Sequence, residues 1–429
     1  MKKMKLAILG CGDRGKIYAS RALELEDQQV EIVAVIDVNP VALKVAGNQF
    51  NVPPNRRFST LDAFLAANVE CDSVINATMD EAHYETTKKL IEKGYNQLLE
   101  KPVVNNQEQL LELRDLANEK GVSLLICHVL RYTPFYRAVK QAILDGEVGK
   151  VQTIEMHEHV NPIHFASSFL RGKWADEDEC GSSLLLQKCC HDTDLMCWLN
   201  NESVPKNVSS FASRSHYIPE NAPENSTEFC ADCPHNQTCV YDAKRTQVDE
   251  DWFAYQTWRE VPKPISEITY EEKLQHLASC DYGRCVYKFK KNLVDRQSVT
   301  VQFANGSIGT LMLVGGAALG SRNIHIVGDK GELLGNMGEN KLTIRQRVHD
   351  GKFHDLVTKE IDVSKVVGDG SGHGGGDKGL MQDYLRFLNG DKTSISITDI
   401  NDSVYGHLCV YSAEKSRKNN SVESIAKLQ

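Results

Sequence analysis

Leu6-Ala7-Ile8-Leu9-Gly10-Cys11-Gly12-Asp13-Arg14-Gly15 decides how this 429-residue chain is read. A short apolar run stops at a glycine-rich turn, and a helical pattern follows. In that setting Gly10 makes the turn, Gly12 lets a pyrophosphate approach the backbone, and Gly15 lets helix and strand pack closely. With Asp13 and Arg14 inside it, the turn predicts a dinucleotide at the first helix N-terminus, where free N–H groups and the helix dipole favour phosphate.

The same alternation continues outward. Ile32–Ile36, Ser73–Ala77, Gln97–Leu99 and Ser123–Cys127 are further short apolar runs. Helical stretches at 84–93 and 107–120 end at Gly94 and Gly121, and the second carries Leu110, Leu113, Leu116 and Ala117 on one face. Residues 1–128 therefore predict an α/β Rossmann domain, a doubly wound parallel sheet whose ligand crevice lies at the carboxyl ends of its strands.

Asp37 ends the second run, where a carboxylate can accept from the adenosine ribose hydroxyls. Val38-Asn39-Pro40 follows with no arginine to meet a 2′-phosphate, so NAD is favoured over NADP. Thr78 and His83 sit at the carboxyl edge and can face the cofactor, although a helix cap and an ordinary loop histidine explain them equally simply. Glu100-Lys101-Pro102 lies just past the strand ending at Leu99. A lysine there can bond a cofactor ribose hydroxyl and a substrate hydroxyl, and stabilise a developing alkoxide.

Beyond about residue 128 the pattern changes. Val151–Val160 reads as extended and Gln187–Asn200 as helical. Ser298–Phe303 and Ser307–Leu313 flank Asn305-Gly306, a hairpin turn signal. Residues 129–429 thus predict an α+β domain with a mostly antiparallel sheet, interrupted by a polar, cysteine-bearing insertion at about 201–290. The glycine tract around His373, from Gly368 to Gly376-Asp377, reads as a flexible substrate loop or a linker ahead of a helix over 381–388.

Two constellations in this half carry chemistry. Gln187, Lys188, His191 and Asp194 share one broad helical face, with Cys190, Met196 and Trp198 opposite. His191 fits a general acid–base, because imidazole titrates near neutrality. Asp194 would orient it or serve structure, and a solvated helix face is the plain alternative. Cys230-x2-Cys233-x5-Cys239, with Cys285 or else Cys280 as fourth ligand, fits a structural zinc site in a segment poor in apolar residues. An iron–sulfur cluster and unliganded reduced thiols are the alternatives.

The formal net charge of −9 leaves no basic footprint for nucleic acid. No apolar run approaches the ~18 residues of a membrane helix. Leu6–Leu9 is also shorter than the roughly 7–15 residues of a signal-peptide core. Thirteen cysteines scattered through a long chain suit reduced thiols, so the expectation is a cytoplasmic protein.

Taken together, these residues resemble the glucose–fructose oxidoreductase, inositol dehydrogenase and rhizopine-catabolism family. The resemblance runs from Gly10–Gly15 through Ala77-Thr78, Glu100-Lys101-Pro102, Arg131-Tyr132-x-Pro134 and Gly146-Glu147-Val148-Gly149-Lys150. It continues through His191-x-x-Asp194 to the glycine-rich stretch with Asp377. It implies a Rossmann domain followed by an open-faced sheet domain that supports a homodimer or homotetramer. It also implies NAD(P)-linked transfer of a hydride to or from a hydroxyl or keto carbon of a sugar, sugar derivative or inositol. Lys101 and His191 would be the catalytic pair, and Arg131, Tyr132, Gln187 and Asp194 would face the substrate. Many members place an aspartate four residues before the histidine, and this chain has Gln187. The proton would then fall to His191 with Lys188. The two other readings are an enzyme that retains NAD and cleaves glycosides through transient oxidation, and a non-catalytic NAD-binding sensor.

Overall fold

Buried runs of Val, Ile and Leu pair in parallel to form the first sheet of this computed structural model. The structure describes residues 3–428 apart from 26–28, 173, 253, 260, 262, 290, 348–351, 353–354 and 368–370. The strands are β1 (Met4–Leu9), β2 (Val30–Ile36), β3 (Arg57–Phe58), β4 (Ser73–Asn76), β5 (Asn96–Leu99) and β6 (Leu124–Ile126), in the order β3-β2-β1-β4-β5-β6. Leu6, Ala7 and Ile8 of β1 are fully buried, as a parallel strand covered on both faces must be. Chain order reverses between β1 and β4, which places the crevice for a ligand at their carboxyl ends. Sequence reading anticipated the parallel sheet but not the two-residue edge strand β3.

The second sheet takes β7 (Val151–Val160), β8 (Pro205–Ser213), β9 (Arg296–Phe303), β10 (Ile308–Gly315), β11 (Ser321–Gly328), β12 (Gly331–Asn336), β13 (Lys341–Arg347), β14 (Leu356–Asp362) and β15 (Glu423–Ser424). Their order is β14-β13-β12-β11-β7-β10-β9-β8-β15. Among the described residues its pairings are antiparallel except β7 with β10. The Asn305-Gly306 hairpin forms as expected, with Gly306 at φ 90°. Helices Leu184–Leu199 and Ile400–Asn419 pack against each other, the first touching β7 and β10 and the second β8. No helix among the described residues is long and apolar enough to cross a membrane.

Two expectations change. Pro205–Ser213 is a strand of the main sheet, so the insertion begins only after it. The insertion has an apolar cluster of its own, in which Cys230, Ala243, Ala254, Trp258, Ile268, Leu277 and Tyr282 are buried. It is thus less dependent on a metal than its polar composition suggested.

The glycine tract also changes character. Gly368–Gly370 lie outside the described residues, but the tract's end starts a helix, Gly376–Leu388, five residues earlier than expected. A Cβ on Gly376 would lie 2.4 Å from the Val129 carbonyl oxygen, and one on Gly379 would lie 2.7 Å from that of Tyr132. These glycines serve close packing rather than flexibility. The helix then buries Leu380, Met381, Tyr384 and Leu385 in one cluster with Tyr18, Ala19 and Leu125. A segment some 250 residues downstream of the Rossmann strands therefore completes their core.

Gly376→Ala is expected to force the helix away from Val129 and to lower stability by about 1–3 kcal/mol, the usual cost of overpacking. Denaturant unfolding would show it as a lower midpoint at unchanged slope.

Candidate active site

The site begins at the glycine-rich turn. Gly10 adopts φ 88°, and a Cβ there would lie 2.3 Å from the Ala77 carbonyl oxygen, so β1 and β4 approach too closely for any side chain. At Gly12 an added Cβ would meet nothing within 4 Å, leaving open space before the helix Asp13–Leu23. No side chain caps that helix, so its first N–H groups are free for an anion. The Asp37 carboxylate accepts from the backbone N–H of Cys11 at 2.6 Å and of Asn39 at 2.7 Å, which fixes it at the end of β2. Uncapped helix, open cradle and held carboxylate are what a dinucleotide's pyrophosphate and adenosine ribose require.

Other residues expected at the cofactor support this frame. Asp13 pairs with Arg259 of the insertion. Arg14 turns away from the cradle: it donates to Glu100 at 2.9 Å and to both oxygens of Asp377 at 2.7 and 3.2 Å. Thr78 donates to Asn76 Oδ1 at 2.9 Å. His83 is fully buried, with Nδ1 2.7 Å from the Pro102 carbonyl oxygen and Nε2 3.1 Å from that of Thr78. It ties the loop after β4 to the segment after Lys101.

Glu100 is buried, and Tyr18 donates to it at 2.6 Å while the Lys101 N–H does so at 2.8 Å. Burial pushes its carboxyl upward, but Arg14 and Lys101 beside it outweigh this and hold it below the usual range. Glu100 is therefore an ionised anchor for the strand end that carries Lys101, whose peptide to Pro102 is cis.

Lys101 Nζ crosses to the second domain and donates to the Gln187 carbonyl oxygen at 2.9 Å. That oxygen belongs to the helix Leu184–Leu199, which Ser183 caps by accepting from Leu186 N–H. His191, one turn on from Gln187, is 6% exposed, and its Nδ1 lies 3.5 Å from Nδ1 of His128. Burial first, then the nearby Lys101 and Arg322 cations and the neighbouring imidazoles of His128 and His373, hold His191 well below the ordinary histidine value. The resting ring is neutral and is an acceptor for a proton. The Gln187 amide donates through Nε2 to the Ser182 carbonyl at 2.6 Å, while its buried Oε1 has no partner in the chain.

Several expected residues serve structure instead. Arg131 and Asp194 are fully buried and share two hydrogen bonds of 2.6 and 2.7 Å. Arg131 also donates to Asp402 at 2.7 Å, and the Tyr132 hydroxyl pairs with that of Thr398 at 2.9 Å. A substrate could reach Arg131 and Asp194 only by breaking a buried ion pair, so they hold the histidine helix, and Tyr132 is buried against Thr398. Asp194 likewise bonds Arg131 and does not orient His191. Lys188 pairs with Glu158 at 3.3 Å.

The cysteine expectation also changes. Cys230, Cys233, Cys239 and Cys285 border one small cavity with Arg171. Yet no group of three His, Cys, Asp or Glu side chains among the described residues could hold a metal ion. Arg171, 2% exposed, donates to Cys230 Sγ at 3.3 Å, to the Arg284 carbonyl at 2.7 Å and to that of Tyr241 at 2.7 Å. The insertion is held by arginine hydrogen bonds and its own apolar cluster, and zinc finds no support. The same disposition gives none to a cluster on these thiols.

Buried histidines around the helix escaped sequence reading. His128 stands beside His191, and His407 accepts from the Val103 N–H at 3.0 Å. Lone histidines in apolar runs give no periodic signal. His128 lies three residues before Arg131, close to a quoted motif but outside it.

Known proteins agree with this architecture. Residues 4–128 match the Gfo/Idh/MocA model described as an oxidoreductase family with an NAD-binding Rossmann fold, and residues 140–423 match its C-terminal alpha/beta domain. The chain is 22% identical over 389 residues to the Bacillus subtilis oxidoreductase YteT, covering 88% of each. It is 30% identical over 146 residues to 1,5-anhydro-D-fructose reductase of Ensifer adhaerens, covering 34% of this chain and 42% of that one. Levoglucosan dehydrogenase, solved with NADH and levoglucosan, superposes with a TM-score of 0.69 at 15% identity, over 99% of this chain and 100% of the other. The chain belongs to the Gfo/Idh/MocA oxidoreductase family.

The buried histidines set a pH dependence. Burial first, then neighbouring His128, pushes His407 down to about 3. The unfolded chain binds that proton near pH 6.5 and the folded one does not, so this part of the stability falls as pH drops from about 6.5 to about 3. Urea unfolding should show wild type losing about 1.4 kcal/mol per pH unit more than His407→Gln across that window. Parallel profiles would contradict it.

Proposed function

We propose that the chain is an NAD-dependent dehydrogenase or reductase that acts on a hydroxyl or keto carbon of a sugar, sugar derivative or inositol. One observation carries the reading. Lys101, at the end of a strand in the nucleotide-binding sheet, reaches across to the helix that bears His191. A cation at the end of a Rossmann strand thereby stands close enough to the helix of the second domain to act on a neutral imidazole one turn further along it.

When bound, NAD supplies the hydride acceptor or donor. The chain's own residues supply the rest. Gly12 and the helix N-terminus take the pyrophosphate, and Asp37 accepts from the adenosine ribose. A 2′-phosphate would face the Asp37 carboxylate, which supports NAD over NADP.

Lys101 bonds the substrate oxygen and stabilises the negative charge that develops there. His191, held neutral, accepts the hydroxyl proton during oxidation and returns it during reduction. Gln187 cannot take a proton and its Oε1 is buried, so the polyhydroxylated class of substrate rests on the relatives. Named relatives support that class: one reduces 1,5-anhydro-D-fructose and another is an inositol 2-dehydrogenase. Family membership favours net hydride transfer over glycoside cleavage or sensing.

Absorbance of reduced nicotinamide, followed with a panel of sugars and cyclitols, tests the reading. At least one substrate should turn over with NAD and far more weakly with NADP. Lys101→Ala should lose at least 100-fold in kcat, the scale of one transition-state charge contact. Equal turnover by the variant would remove Lys101 from the mechanism.

A further inference from the structure

His373 stands near His191, just before the helix Gly376–Leu388, in an uncommon backbone arrangement. Its φ is 50°, a left-handed value uncommon outside glycine, and Gly374 and Gly375 follow at 63° and 86°. Its Nδ1 lies 3.2 and 3.4 Å from the two oxygens of Asp377. Asp377 is fully buried and held from the other side by Arg14. The ring of His373 is 6.4 Å from that of His191, centre to centre. Its side chain is 44% exposed, whereas His191 is 6% exposed. A buried base and an exposed, carboxylate-backed imidazole thus stand side by side.

We infer that His373 is the positioning and relay residue through which His191 exchanges its proton with solvent. The inference rests on the dehydrogenase reading. Oxidation of a hydroxyl carbon sends a hydride to NAD and releases one proton from the hydroxyl oxygen. That proton goes to His191, whose surroundings keep it a weak base. From there it passes through one water or substrate hydroxyl to Nε2 of His373, and then to solvent. Reduction runs the same path inward. Asp377 accepts from Nδ1–H of His373, which leaves Nε2 as the free acceptor and stabilises the ring while it carries the proton. The relay supplies the proton outlet that an aspartate would give and that Gln187 cannot.

The charge around the relay is specific. Asp377 faces His373 along its own segment, with Arg14 behind it. Lys101, His191, Arg322, Lys188 and His164 lie on the surrounding elements, and their mutual influence shows in the lowered values of His164 and His191. For Asp377, burial acts upward, but the hydrogen bonds from His373 and Arg14 and the charge of Arg14 hold it far below the carboxylate range. The carboxylate therefore stays ionised behind the imidazole.

Two variants respect the backbone. Asparagine tolerates the left-handed region, and glycine both tolerates it and opens space for added imidazole. In His373→Asn, kcat for oxidation should fall about 10- to 100-fold, its pH profile should change shape, and NADH affinity by fluorescence should stay within twofold. In His373→Gly, imidazole in the buffer should restore much of kcat. A readout independent of turnover is the nitrogen-15 spectrum of the full-length wild type, where His373 should be the Nδ1–H tautomer.

Wild-type turnover with unchanged kcat and pH profile in both variants would overturn the relay and leave the dehydrogenase reading intact. The opposite tautomer would also overturn it. NAD binding without turnover of any sugar or cyclitol would overturn the dehydrogenase reading, and the relay with it.

Discussion

The charge cluster in which half-buried Arg14 meets buried Glu100 and Asp377 ties this structure together. Arg14 belongs to the helix after the glycine-rich turn, Glu100 to the end of β5, and Asp377 to a helix nearly three hundred residues later. Tyr18 closes the group by donating to Glu100. Removing one member of such a cluster leaves an uncompensated buried charge, typically at a cost of about 3–5 kcal/mol. More important is what the cluster positions. Glu100 accepts the Lys101 N–H, and Asp377 stands behind His373, so the two ends of one ionic group address opposite sides of the cleft.

A second buried pair plays the corresponding part in the other domain. Arg131 leaves the first domain and clamps Asp194 on the histidine helix and Asp402 on the last helix. Lys101 reaches that helix from the nucleotide side. The two domains share a continuous apolar core, and these charge-assisted bonds, strong in a water-poor environment, add direction to it.

How much of this was legible in the sequence follows from range. Leu6–Leu9 before a glycine turn, and Asn305-Gly306 between alternating strands, are local signals with local causes, and both elements form as read. Lys101 and His191 stood out as candidates because their residue types and flanks are informative, and the structure joins Lys101 to the helix that bears His191. The parallel pairing of β7 with β10 depends on strands about 150 residues apart, which no local pattern specifies. Gly376 looked like part of a flexible loop or linker because composition cannot tell a glycine that moves from one that packs against a carbonyl. Arg131 and Asp194 looked like ligand contacts because charged residues seldom become fully buried without a partner, and the partner lay far away. The cysteines were misleading for the opposite reason: their spacing is local, but their disposition depends on the insertion's own core and on Arg171.

The central claim is that the cleft between Lys101 and His191 moves hydride between a polyol carbon and NAD. The most direct test is isotopic. A sugar or cyclitol carrying deuterium on its hydroxyl-bearing carbons is incubated with the enzyme and NAD, and the cofactor is weighed by mass spectrometry. The account predicts one deuterium gained by the cofactor with at least one such substrate. A cofactor that stays unlabelled across the whole class would contradict it.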